Sequence, residues 1–129
     1  MTSLKKYHFY LIESAKKLIS QRFRQGRHHF AAALKTKSGK IYLGLHLKSR
    51  VEKNEICAEA VAIANAAAAN DCSIEAIVLV DRNGKVITPC GSCRELILDY
   101  SSTAEVVVTG SAGAKVLKIG NLLPLSEHD

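Results

Sequence analysis

The stretch CAEAVAIANAAAA, residues 57–69, carries no charge after Glu59 and consists almost wholly of alanine with Val61 and Ile63. Alanine is the strongest helix former, and a helix that is apolar all round belongs inside a fold, so this segment predicts a central helix buried on nearly every side. Beyond it, Ile74 to Val80 is an apolar run of strand length, interrupted only by Glu75, that ends in the turn residues Asp81-Arg82-Asn83-Gly84. Such a run is typical of a strand covered on both faces. Upstream, residues 29–36 and 40–47 read as strands joined by Ser38-Gly39 into an antiparallel hairpin, and residues 48–56 form a polar loop leading to Cys57.

The two ends of the chain complete an α/β pattern. Leu4, Leu11, Ala15, Leu18 and Ile19 recur near the helical period, with Lys and Glu between them, and predict an amphipathic helix over residues 3–20. Pro89 introduces a helix over residues 90–100, with Leu96, Ile97 and Tyr100 facing inward. Residues 105–109 and 115–119 are strand-like around Gly110-Ser111-Ala112-Gly113, and a short helix near residues 121–123 ends at Pro124. The chain has 129 residues, 47% of them hydrophobic, which suits a single domain spanning residues 1–129 with a substantial core. There is no apolar run of 18 residues and no secretory signal pattern, so a cytoplasmic location is expected.

Chemistry enters with the cysteines. Thirty-three residues after Cys57 stands Cys90, within Pro89-Cys90-Gly91-Ser92-Cys93-Arg94. Zinc favours thiolate ligands in tetrahedral geometry, and a catalytic site keeps three protein ligands and leaves the fourth position open. Cys57, Cys90 and Cys93 match that set, and Glu59, two residues from Cys57, is a carboxylate placed to move protons beside it. A Cys-x-x-Cys pair alone also serves redox and structural roles; its conjunction with Cys57-Ala58-Glu59 narrows the reading. Both ligand segments open helices, where backbone N–H groups favour thiolates. Cys72 lies outside the motif and reads as an ordinary small residue.

The net charge of +6 is concentrated in Lys5, Lys6, Lys16, Lys17, Arg22, Arg24 and Arg27. With no Trp and few aromatics to stack bases, a solvated basic face is expected and a nucleic-acid partner is not. His8 and His29 read as surface histidines, since three better-spaced thiols already serve the metal.

Over nearly its full length the chain resembles the cytidine deaminase superfamily, and within it is most similar to the small blasticidin-S deaminases. Ala31-Ala32-Ala33-Leu34, Cys57-Ala58-Glu59 and Pro89-Cys90-Gly91-Ser92-Cys93-Arg94 carry the wider resemblance. His28-His29 after a basic residue, residues 35–39, His46, residues 57–63, residues 93–96 and Leu123-Pro124-Leu125 carry the narrower one. The resemblance implies a three-layer α/β/α fold with a mixed five-stranded sheet, and one zinc per subunit held by Cys57, Cys90 and Cys93. It also implies Glu59 as the proton shuttle, hydrolytic loss of an exocyclic amine from a cytosine-type ring, and a homotetramer whose subunits complete one another's sites.

Positions facing the substrate depart from the common family pattern. Where cytidine deaminases carry Gly-x-Asn-x-Glu, with groups that hold ribose hydroxyls, this chain has Gly44-Leu45-His46-Leu47-Lys48. Lysine donates where carboxylate accepts, so Lys48 is expected to suit an anionic group on the substrate. His28 replaces an aromatic residue near the pyrimidine, and Glu127 stands where blasticidin-S deaminases have Tyr. Ala60 replaces an Arg that offsets thiolate charge, which leaves Arg94 for that work; Arg94 and Ala58, the small residue between Cys57 and Glu59, are the residues expected around the ligands. The expected substrate is therefore an aminopyrimidine nucleoside or analogue of the blasticidin-S kind. Ordinary cytidine or deoxycytidine deamination and a non-catalytic, zinc-stabilised nucleic-acid-binding role are the alternatives.

Overall fold

A computed structural model describes residues 3–123. Its elements in chain order are α1 (Lys6–Arg22), β1 (Phe30–Thr36), β2 (Ile41–Leu45), α2 (Ala58–Ala68), β3 (Ile74–Asp81), β4 (Val86–Ile87), α3 (Gly91–Tyr100), β5 (Glu105–Gly110) and β6 (Gly113–Lys118). The strands form one mixed sheet in the order β2-β1-β3-β5-β6, with the two-residue β4 added against β3. The expected five strands are all present; β4 is the addition. The expected final helix is a 3-10 turn at Ile119–Leu122, and Pro124 and Glu127 lie outside the described residues.

Alternation along the strands builds the layers. Ala32 and Leu34 of β1, Ile77 and Leu79 of β3, and Val106 and Val108 of β5 share one core with α2 and α3. Ala31 and Ala33, Ala76, Val78 and Val80, and Val107 point the other way, onto Leu11, Ala15 and Ile19 of α1. Successive strand residues point to opposite faces, so one apolar run serves two cores, and helices are required on both sides of the sheet. The architecture is three-layered, α/β/α.

The topology also explains where the site lies. β1 pairs antiparallel with both β2 and β3, so β2 and β3 run the same way, and β5 is parallel to β3. α2 joins β2 to the parallel β3, and α3, after the two-residue β4 has turned back beside β3, completes the crossover from β3 to the parallel β5, so each helix runs back against those strands. Both helices therefore begin at the same edge of the sheet.

Four local features differ from the sequence expectations. α2 is buried along one stripe, Ala58, Glu59, Ala62, Ile63 and Ala66, and not on nearly every side: Ala64, Asn65, Ala67 and Ala68 are exposed. Composition cannot distinguish an apolar helix covered all round from one packed on a sheet by a single face. The packed face lies unusually close to β2, because a Cβ on Gly44 would come within 2.1 Å of the Ala58 carbonyl oxygen. Tyr100, expected inward, is exposed at the last position of α3, while Ile97 is fully buried. The third difference is His8, expected at the surface: it is fully buried and faces Glu105 of β5 at 2.9 Å. Its Nδ1 accepts the backbone N–H of Lys5, and Tyr7 donates to the same Glu105 oxygen at 2.5 Å. The fourth is the extent of α1, which runs to Arg22, two residues past its expected end. No helix among the described residues is long and apolar enough to cross a membrane.

Candidate active site

Cys57 is the residue capping the N-terminus of α2, and Cys90 does the same for α3, with Cys93 in the first turn of α3. Because the two helices begin at one edge of the sheet, their thiols converge: the three sulfur atoms all lie within 4.8 Å of one another. Zinc–thiolate bonds of about 2.3 Å in a tetrahedron place sulfurs roughly 3.8 Å apart, so this cluster can close on one ion with small side-chain adjustments. Burial pushes the Cys57 and Cys93 thiols up; Glu59 and the other two cysteines add to it at Cys93, whereas at Cys57 the hydrogen bond with Cys93 works against it. Thiols in that environment become thiolates when a cation compensates them, which is the donor chemistry of a zinc site. Cys72 is remote from this cluster; its Sγ faces the Ile63 carbonyl oxygen at 3.8 Å and packs against the core.

Glu59 occupies the first turn of α2 and is only 2% exposed. Burial pushes its carboxyl above the ordinary range. It is not one of the clustered ligands, yet it lines the same cavity of about 210 Å³ as Cys57 and Cys90. Phe30 of β1, Leu79 of β3 and Ile87 of β4 supply apolar lining. This is space of a size and polarity for a flat heterocycle.

His46 and Glu55 complete the lining on the polar side. His46 is buried, and its Nδ1 accepts the backbone N–H of His29 at 3.1 Å. That bond leaves the ring proton on Nε2, which faces Glu55 Oε2 at 2.7 Å. The other Glu55 oxygen faces Lys48 Nζ at 3.6 Å. The His46 bond, helped by Lys48, holds the Glu55 carboxyl below the ordinary range. Phe30 meets His46 edge-on at 5.2 Å between ring centroids.

The structure thus brings Cys57, Glu59, Cys90 and His46 into one cavity with Cys93 beside it, and sets Lys48 on Glu55. His28 is half-buried, its Nδ1 2.9 Å from the His46 carbonyl oxygen. Arg94 donates from Nε to the Pro89 carbonyl at 2.8 Å and from a terminal nitrogen to that of Leu122 at 3.2 Å, tying the segment before Cys90 to the 3-10 turn. Ala58 is buried against β2. Sequence reasoning missed Phe30 and Glu55. Phe30 carried a usable signal, as the aromatic residue that opens β1; Glu55, in a polar loop, carried none.

Such a sheet, with three thiols and a buried carboxylate where two helices begin, defines a class of metal-dependent hydrolase, and comparison with known proteins gives the family. The pattern of the cytidine and deoxycytidylate deaminase zinc-binding region matches residues 5–110. The chain is 33% identical to blasticidin-S deaminase of Bacillus cereus over 123 residues, covering 89% of this chain and 88% of that one. A cytidine deaminase structure from Burkholderia pseudomallei aligns with TM-score 0.77 and 30% identity over 98% of this chain and 99% of the other. The cytidine deaminase of Mycobacterium leprae aligns with TM-score 0.81 over 95% and 100%, at 21% identity, and so shares the fold. The chain belongs to the cytidine and deoxycytidylate deaminase family, zinc-dependent hydrolases that act on cyclic amidines.

Proposed function

We propose that this protein removes the exocyclic amine from the cytosine-type ring of a free nucleoside or nucleoside analogue of the blasticidin-S kind, releasing ammonia. The observation that carries the reading is Glu59: a carboxylate that is not a ligand, buried in the same cavity as the thiols. A purely structural zinc site has no use for such a group. Cys57, Cys90 and Cys93 hold the metal, which when bound supplies the Lewis acidity that makes water nucleophilic near neutral pH. Glu59, kept from bulk water and with its proton affinity raised, gives and takes the protons that the ring nitrogen and departing amine require. Phe30, Leu79 and Ile87 exclude water around the ring, and His46, held in one tautomer by the His29 backbone, lines the cavity and orients Glu55 toward the rest of the substrate. His28 and Lys48 act on the substrate in this reading through the cavity residues they contact, His46 and Glu55; Glu127 lies outside the described residues.

We further propose assembly as a homotetramer, supported by the alanine face left uncovered on α2 and by exposed Leu43, Leu47, Val51 and Ile56 nearby in the chain. The decisive experiment is ammonia release by the zinc-loaded protein from cytidine, deoxycytidine and blasticidin S, with Glu59→Gln in parallel. Turnover of at least one compound, abolished in the variant, is expected; full activity of Glu59→Gln refutes the mechanism.

A further inference from the structure

Two carboxylates line the cavity, and their burial separates them. Glu59 is 2% exposed and lies deep, whereas the Glu55 side chain is 36% exposed and stands at the opening. Glu55 belongs to no helix or strand; it follows the short 3-10 turn Glu52–Asn54, two residues before the first ligand, Cys57. Its two oxygens have different surroundings. Oε2 is engaged by His46 Nε2 at 2.7 Å, and His46 is itself oriented by the His29 backbone. Oε1 has Lys48 at 3.6 Å, an ion pair longer than a hydrogen bond. A carboxylate oxygen accepts about two hydrogen bonds, so Oε1 of this partly exposed, cavity-lining side chain keeps acceptor capacity. Carboxylate accepts and never donates, hence the group that meets it must be a donor. Lys48, already set against that carboxylate, offsets its charge.

We infer that Glu55 is a specificity-determining residue of the proposed deaminase, accepting a hydrogen bond from a hydroxyl or ammonium on the part of the substrate that projects from the ring, with Lys48 as its counter-charge. The inference rests on the proposed function and names what that site selects. It assigns the site to neutral or cationic substrates and against anionic ones. The loop carboxylate supplies the polar grip, the thiol cluster and Glu59 the chemistry, and the two are separable by mutation.

The test compares zinc-loaded protein with Glu55→Gln and Glu55→Ala on four compounds. Cytidine offers hydroxyls, 3′-amino-2′,3′-dideoxycytidine an ammonium, 2′,3′-dideoxycytidine neither on the ring carbons concerned, and cytidine 5′-monophosphate an anion. A hydrogen bond to a charged group is worth roughly ten- to hundredfold in affinity. The variants are expected to lose that factor in kcat/KM, mainly through KM, on cytidine or the amino compound, and less than about threefold on the dideoxy compound by the same reasoning. Which of the first two suffers distinguishes hydroxyl from ammonium. An equal loss on all four compounds, or none on any, overturns the assignment. So does a selective loss of the monophosphate in Lys48→Met with Glu55→Gln unaffected, which transfers the reading to Lys48. Should the wild type release no ammonia from any compound, the proposed function fails, and calorimetric binding of the same four compounds to wild type and Glu55→Gln still decides: a differential loss supports the inference, while a flat comparison or no binding overturns it.

Discussion

Gly44 of β2 and Ala58 of α2 touch backbone to backbone: a Cβ at Gly44 would lie 2.1 Å from the Ala58 carbonyl oxygen and 2.4 Å from the Ala62 nitrogen. Both obstacles are main chain, so no side chain can swing aside. Ala58 immediately follows Cys57, and the closeness of strand and helix therefore fixes where the first thiol sits. Gly44→Ala is expected to cost about 1–3 kcal/mol of stability through overpacking and to lower zinc affinity at the same time. Thermal unfolding with and without a chelator measures both, and an unchanged zinc affinity would separate the helix contact from the site.

Metal loading should be proton-linked. Burial pushes Cys57 and Cys93 up, so below neutral pH both thiols are protonated in the metal-free protein and the metal must displace their protons. Zinc affinity is expected to rise between pH 6 and 8, by about tenfold per pH unit for each proton displaced. Competition with a chromophoric chelator across that range reads the slope, and a flat profile would contradict thiol ligation. One zinc per chain is expected by elemental analysis, falling to none in Cys93→Ser.

Replacing Glu59 by Gln removes a proton carrier and leaves the thiol cluster intact. Turnover is expected to fall roughly 10²–10⁴-fold, with zinc content and circular dichroism unchanged. Loss of the metal together with activity would show that Glu59 holds the site together instead.

Acid stability tests the other buried acid. Burial alone would push Glu105 up, but the hydrogen bonds from Tyr7 and His8 outweigh it and hold its carboxyl below the ordinary value of 4.5. An acid whose folded value is depressed contributes stability in full above its unfolded value and loses it as pH falls through the folded one. The stability gap between wild type and Glu105→Gln, on the order of 2–4 kcal/mol at neutral pH by denaturant unfolding, should therefore narrow below about pH 4.5. A gap that stays constant to pH 3 would mean that ionisation of Glu105 contributes nothing.

The homotetramer is checked by light scattering on the eluting protein. A mass four times that of one chain is expected, and Ala64→Glu on the exposed face of α2 should lower it. A monomer in both proteins would remove the proposal.

The parts of this molecule legible in sequence are those whose cause is local. Cys57, Glu59, Cys90 and Cys93 declare themselves by residue type and spacing, and the apolar run of β3 by its length. What stayed hidden depends on pairing across the chain. His8 reads as a surface histidine because nothing near it names Glu105, 97 positions away. β4 has two residues and no periodicity to detect. Lys48 shows its charge in the sequence, whereas its position 3.6 Å from Glu55 follows from the bridge between Leu47 and Ile56, which brings their segments side by side. Charge can be read from letters; the partner that offsets it requires the fold.

The ligands are divided between two helices with β3 lying between them in the chain, and this imposes an order on biosynthesis. A ribosome that has released Cys57 has made only one thiol of the three; the set is complete after Cys93, when α2 and β3 have already been delivered. The emerging polypeptide thus offers no full pocket to scavenge metal prematurely, and capture of the ion becomes a late event that locks the two crossover units together.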